Sequence, residues 1–308
     1  MEYKNILMFA TSNRGKVESA NKYFEGKIQF LPCDFAFHEI RSNNLDEIAI
    51  AKVLEAYEIT KTPTIALDAG FCIKALHDFP GSYVNYVLST INIDGLLNLM
   101  DGVADRECCF KQCLAYYDGK EESKVFWGNH QGILSEKKKG NIGSEDWSEL
   151  SHIFIPKGFD KTLAEMSKEE RALVRIRNDN NISAFEEFKS WYVDYLASES
   201  RYRELQCEQQ WKRVCDYIIE EKLMAKISYE TWIRPLKIKE CTSECLRIEY
   251  VDDMVSDIHK DTVRYIKSRY GKLILETYNL CTESNVQMIE FACTWRGTQS
   301  GTQKIEKA

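Results

Sequence analysis

The first stretch with the means to do chemistry is FATSNRGKVESA, residues 9–20. It follows the apolar run ILMF and sets Thr11, Ser12 and Asn13 ahead of Gly15 and Lys16. Two readings fit. Thr, Ser and Asn are good helix N-caps, so the loop serves as a plain strand-to-helix turn. The same loop also suits phosphate, because backbone N–H groups at a helix start and one lysine ammonium together make an anion site. A second point is Asp68, after the apolar run TIAL and before Ala69-Gly70. A carboxylate at such a strand end either begins a turn or faces a ligand. By residue type alone, Glu39, Lys52 and Arg171 are solvated charges. The 11 cysteines are scattered, many in apolar runs such as ECCFKQCLAYY, where Cys acts as a small core residue. CTSEC, with Cys241 and Cys245, is the one tempting metal pair, but no second Cys/His pair stands at zinc spacing.

The elements around these groups alternate. KNILMFA and KIQFLPCDF read as strands flanking the helix KVESANKYF, and LDEIAIAKVLEAYEIT has helical apolar spacing. TPTIALDAG reads as a buried strand ending in Asp-Ala-Gly, and FPGSYVNYVLSTI as a Pro-Gly turn opening a helix. RECCFKQCLAYYDGKEESKVFWGNHQGILS reads as an antiparallel hairpin turning at DGKEE. SHIFIP reads as a strand, before the helices SKEERALVRI and NISAFEEFKSWYVDYLAS. The pattern predicts a mixed α/β domain over residues 1–197, a helical linker over 198–207, a small α/β domain over 208–293 and a polar, disordered tail over 294–308. Length supports two domains: 308 residues exceed one ordinary core.

A net charge of −7 argues against general nucleic-acid binding. No run is long and apolar enough to span a bilayer, and the N-terminus lacks a signal peptide's apolar region. These features predict a cytoplasmic protein with reduced thiols and no membrane or direct nucleic-acid partner.

Five stretches in fixed order give a sharper expectation. ATSNRGKVESA, HEIRSNNLDEIAIAKVLEA, TIALDAGFCIKALHDFPGSY, the hairpin DRECCFKQCLAYYDG…FWGNHQGIL, and IFIPKGFDKTLAEMSKEERALVRIR resemble the inosine/xanthosine triphosphate pyrophosphatase family over roughly residues 5–195. The resemblance implies that Thr11, Ser12, Asn13 and Lys16 cradle a triphosphate and that Lys52 and Arg171 add cationic contacts. It implies that Arg177 lies near the base, and that Glu39 and Asp68 hold Mg²⁺ or activate water. In the implied reaction water attacks the α-phosphorus, releasing pyrophosphate and a nucleoside monophosphate. The family's habit also implies a homodimer.

The departures from the family pattern cluster. Its acidic pair is Leu67-Asp68, the following Thr/Ser is Ala69, and the GG before PG is His77-Asp78. Its G-(F/W/Y)-D-P motif reads ELSH, with Leu150 and Ser151 at the aromatic and Asp positions, and its SHR reads Arg175-Ile176-Arg177. Trp147 offers an alternative stacking surface for a base or a core anchor, and Arg175 an added phosphate contact or a surface charge. A weakened enzyme and a nucleotide sensor that no longer hydrolyses are both consistent with these losses.

Beyond residue 208, Trp211, the string YETWIRPL (Tyr229–Leu236) and a strand-helix-strand order resemble the N-terminal domain of the bacterial replication initiator DnaA. That resemblance implies a small KH-like α/β fold that meets another protein, with a replication protein as the implied partner. Trp232, Ile233 and Leu236 are core residues on their apolar character alone. A replication-associated adaptor is therefore a further reading of the whole chain.

Overall fold

The computed structural model describes residues 5–24, 28–33, 35, 37–38, 40–143, 148–176, 183–242, 244–252 and 258–295. The chain divides into two compact units, Met1–Val193 and Asp194–Ala308.

In the first unit the strands are β1 (Ile6–Phe9), β2 (Gln29–Pro32), β3 (Thr64–Ile73), β4 (Phe79–Gly81), β5 (Glu107–Tyr117), β6 (Lys124–Leu134) and β7 (Phe154–Pro156). Its helices are α1 (Arg14–Tyr23), α2 (Leu45–Thr60), α3 (Val84–Thr90), α4 (Asn92–Leu99) and α5 (Lys168–Ile176). The first residues of α6 (Ala184–Glu220) also belong here. Among the described residues the sheet order is β2-β1-β3-β5-β6-β7, with β4 paired to β3. β1 runs parallel to β2 and β3, whereas β3, β5, β6 and β7 pair antiparallel, so the sheet is mixed.

β3 is the spine. It is paired with β5 without a break from Thr64↔Tyr117 to Ile73↔Cys108. Side chains alternate along a strand, so each half of β3 needs cover on both faces. On one face Ala66 and its neighbours Cys113 and Ala115 pack under α2 through Leu45, Ala49, Val53 and Ala56, a helical stripe. On the other, Tyr116 and Phe126 meet the rings of Phe188 and Trp191 from α6. Further along, Phe71 and Ile73 enter a separate core with α3, α4 and Phe154. Burial along β3 is interrupted only at Asp68 and Ala69.

Two local expectations change. β3 does not end at Asp-Ala-Gly but continues to Ile73, because β5 keeps pairing and β4 adds Phe71↔Gly81 to Ile73↔Phe79. Asp68 is therefore held in mid-strand rather than in a turn. SHIFIP is only partly strand: Glu149–His152 forms a 3₁₀ turn capped by Ser148, and β7 begins at Phe154. That turn buries Leu150 in the α3/α4 core.

The second unit contains the rest of α6, α7 (Lys226–Ser228), a π-turn at Tyr229–Ile233, β8 (Leu236–Cys241), β9 (Cys245–Asp252), α8 (Ile258–Thr282) and β10 (Met288–Trp295). Its sheet order is β10-β9-β8, parallel between β10 and β9 and antiparallel between β9 and β8. Trp211, Val214, Ile218, Ile233, Leu236, Ile248, Ile266 and Tyr278 belong to its core. Residues 198–207 lie inside α6. β10 keeps pairing with β9 as far as Trp295↔Asp252, so Thr294 and Trp295 belong to the sheet rather than to the expected disordered tail. The rest of that tail lies outside the described residues.

Candidate functional site

The loop after β1 is set by its own hydrogen bonds. Ala10 N–H donates to Ile65 O at 2.8 Å, fixing the end of β1 against β3. Asn13 N–H donates to Thr11 Oγ1 at 3.1 Å, and Lys16 N–H to Asn13 Oδ1 at 3.2 Å. Asn13 is thus the N-cap of α1, and its carbonyl oxygen is spent on the helix. Ser12 and Asn13 are exposed and Thr11 half-buried.

Capping turns Lys16 inward rather than onto a wet first turn. Burial pushes the Lys16 ammonium below its ordinary pKa, the Asp68 carboxylate pulls it back up, and the Lys52 charge adds to the downward push. These interactions bring Lys16, Lys52 and Asp68 into one electrostatic cluster from three elements. Lys52, from α2, places Nζ 2.8 Å from Asp68 Oδ1, with side chains only 15% and 18% exposed. Asp68 Oδ2 is buried and has no hydrogen-bond partner. A buried carboxylate oxygen without a donor is rare and costly, and it fits a group that the protein itself does not supply. Water or a hard, oxygen-seeking cation has the right chemistry.

A second carboxylate reaches this neighbourhood unforeseen from sequence. Cys113 sits opposite Asp68 in the β3–β5 ladder. Its thiol is pushed up to about 12 by burial, then by the charges of Asp46 and Asp68. Asp46, Ala49 and Lys52 follow at three-residue spacing on α2, and that periodicity was the available signal.

The other expected residues fall as follows. Arg171 lies on α5, half-buried, with its N–H bonded to Ser167 O at 3.0 Å. Arg175 is on the same helix. Glu39, Trp147 and Arg177 lie outside the described residues. Leu150 and Ser151 are 1% and 6% exposed, so the side chains at these two positions are turned into the protein. Among the described residues no group of three or more His, Cys, Asp or Glu side chains forms a ready metal cage, and no helix is long and apolar enough to cross a membrane.

The dITP/XTP pyrophosphatase of Thermococcus kodakarensis is 36% identical over 191 residues, covering 62% of this chain and 98% of the relative. That of Saccharolobus solfataricus is 38% identical over 161 residues, covering 52% and 79%. The solved Ham1 protein of Staphylococcus aureus superposes with a TM-score of 0.53 at 26% identity, over 62% of this chain and all of that one. A HAM1 protein from Coxiella burnetii shares the fold at 21% identity and a TM-score of 0.53, covering 62% and 98%. The family model for Ham1 matches residues 7–191. The chain belongs to the Ham1 family.

Proposed function

We propose that the first unit is a pyrophosphate-releasing hydrolase of nucleoside triphosphates, with deaminated purine triphosphates as its substrate class. The observation that carries this reading is the Lys16–Lys52–Asp68 cluster with its unpartnered carboxylate oxygen, set on a Ham1 framework. Its chemistry suits the reaction: hydrolysis at a phosphoryl centre requires charge neutralisation and a positioned water more than a covalent nucleophile. Lys16, at the start of α1, binds the polyphosphate together with the loop Thr11–Asn13. Lys52 holds Asp68 Oδ1, which leaves Oδ2 either to hold Mg²⁺ or to orient the attacking water and accept its proton. Arg171, Arg175 and Arg177 supply further cations, and Trp147 a stacking face.

Mg²⁺ fits the free Asp68 oxygen, a hard donor, with Glu39 as the second ligand implied by family resemblance. When bound, the ion neutralises phosphate charge and polarises the reacting water. The buried Leu150 and Ser151 leave the base less tightly gripped than a Tyr-Asp pair would, so we expect relaxed discrimination among bases.

The test is pyrophosphate release from dITP, XTP and the ordinary triphosphates with Mg²⁺. Release that is fastest with the deaminated bases is expected. Calorimetric binding of a triphosphate without any release would replace this reading with that of a nucleotide sensor.

For the second unit we propose a protein-docking module like the DnaA N-terminal domain. Trp211 Nε1–H donates to Leu236 O at 2.7 Å, joining two of the residues that carry the likeness. Ile233 and Leu236 are buried, while Trp232 is half-buried against Tyr265 with ring centroids 5.0 Å apart. Pull-down with the full chain tests it: recovery of a replication protein that Trp232→Ala loses is expected, and recovery of none rejects the adaptor.

A further inference from the structure

The face of β3 that carries Asp68 continues through Gly70 to Cys72. Its ladder partners on β5 are Cys113, Lys111 and Cys109. On β6 the next partners are Trp127, Asn129 and Gln131. Where α2 no longer covers this face, a cavity of about 410 Å³ opens, lined in part by Cys72, Cys109, Lys111 and Asn129. We propose that Cys72 and Cys109 form a reversible oxidation site, a dithiol that a small hydroperoxide converts into a cross-strand disulfide.

The geometry supplies what that chemistry needs. Directly opposite residues of an antiparallel pair hold their Cβ atoms roughly 4.5–5.5 Å apart. A disulfide needs about 3.5–4.5 Å, so closing one calls for a small local movement. Both thiols are unbridged; Cys72 is buried and Cys109 half-buried, open to the cavity. The adjacent Cys72 thiol holds the Cys109 pKa below its ordinary value, burial opposes this, and the Lys111 ammonium adds to the lowering. Cys72 is correspondingly raised by its pairing with Cys109 and by burial. Cys109 is half-buried where Cys72 is buried, so it is the more accessible thiol at the cavity and the attacking sulfur, with Cys72 the resolving one. Lys111 is anchored by Asp78 at 2.8 Å. Asn129 Oδ1 is buried without a hydrogen-bond partner and can accept the proton of an entering hydroperoxide.

In the first step the Cys109 thiolate attacks one peroxide oxygen and the O–O bond breaks. The departing oxygen is stabilised by Lys111, takes up the proton that Cys109 released, and leaves a sulfenic acid. Cys72 then attacks that sulfur; the S–O bond breaks, the S–S bond forms, and the hydroxyl leaves as water with the Cys72 proton. Two thiols and one hydroperoxide give one disulfide, one alcohol (water from hydrogen peroxide) and one water. The nearby thiols are less suited: burial pushes both Cys108 and Cys113 up to about 12.

The full-length protein, treated with stoichiometric hydrogen peroxide, alkylated and mapped by peptide mass spectrometry, tests this. A Cys72–Cys109 linkage that dithiothreitol reverses is expected before other cysteines react. Cys72→Ser should leave a sulfenic acid on Cys109 that dimedone traps, and Lys111→Met should slow the first step several-fold. Circular dichroism checks that each variant folds, and the wild-type map stands without them. The inference is overturned if Cys72 and Cys109 stay alkylatable while other cysteines oxidise, or if linkages elsewhere form first. Pyrophosphate release plays no part in the readout, so the proposed function and this site fail separately.

Discussion

Asp68 carries two oxygens with different fates, and that asymmetry makes it testable. One is held by Lys52 at 2.8 Å, and the other is buried without a partner. Asp68→Asn keeps the shape but removes the proton acceptor, so kcat for pyrophosphate release should fall by about 10²–10⁴. It also leaves Lys16 and Lys52 without their shared counter-charge, which should cost roughly 1–3 kcal/mol in urea unfolding. Unchanged turnover would remove Asp68 from the chemistry. Lys16 gives a second test with a definite sign. Its folded pKa lies below the ordinary 10.5 because burial penalises the charge. As pH rises toward 10.5 the folded protein discharges Lys16 first, so KM for the triphosphate should climb on the alkaline side before free lysine would titrate. Below the lowered pKa, folding must keep this ammonium charged in a half-buried place, whereas above 10.5 both states are neutral and the penalty is gone. Lys16→Met should therefore raise Tm at pH 7 and lose that advantage as pH approaches 10.5. An equal Tm gain at both pH values would refute the account.

At the scale of elements, β3 explains why part of the site was legible in sequence and part was not. The apolar run Thr64–Leu67 marked a buried strand, and Asn13 and Lys16 showed a capped helix start, because both signals are local. The continuation of β3 past Gly70 depends on pairing with β5 and β4, which lie far along the chain, and Asp-Ala-Gly by itself looks like a turn. The same limit hid Asp46: its neighbour Cys113 is distant in sequence, so only the helical period pointed to it. Likewise the 3₁₀ turn at Glu149–His152 follows from burying Leu150, a tertiary demand. Cys109 shows the reverse case, since its apolar run suggested core but its position on the ladder opens it to the cavity. Gly70 is the element-level test. A Cβ there would meet the Gly81 carbonyl oxygen at 2.8 Å and carbon at 2.9 Å, backbone atoms with no rotamer to yield. Gly70→Ala should push β4 from β3 and cost about 1–3 kcal/mol. Because Gly70 lies two residues beyond Asp68 on the same face, kcat should drop as well; a variant as stable as wild type would show that β4 gives way freely.

For the whole molecule, the question is whether the hydrolase needs its second unit. The Ham1 match ends at residue 191 and the compact first unit at Val193, although α6 runs on without a break to Glu220. Phe185, Phe188, Trp191 and Tyr192, rings that α6 gives to the first unit, precede that boundary. A 191-residue alignment also covers 98% of the Thermococcus relative, so a polypeptide of this length holds that relative's whole enzyme. The chain shortened to residues 1–193 should fold and release pyrophosphate at a rate within roughly a factor of three of the full chain, as an independent core predicts. Helix fraying at the new end should be limited, because Phe188 and Tyr192 are 0% and 4% exposed and pin the last turns to the sheet. Thermal unfolding by circular dichroism and turnover, measured side by side, decide the matter. A shortened chain that unfolds cooperatively yet turns over far more slowly would show that residues 194–308 contribute to catalysis, and the reading of them as a docking module would have to be given up.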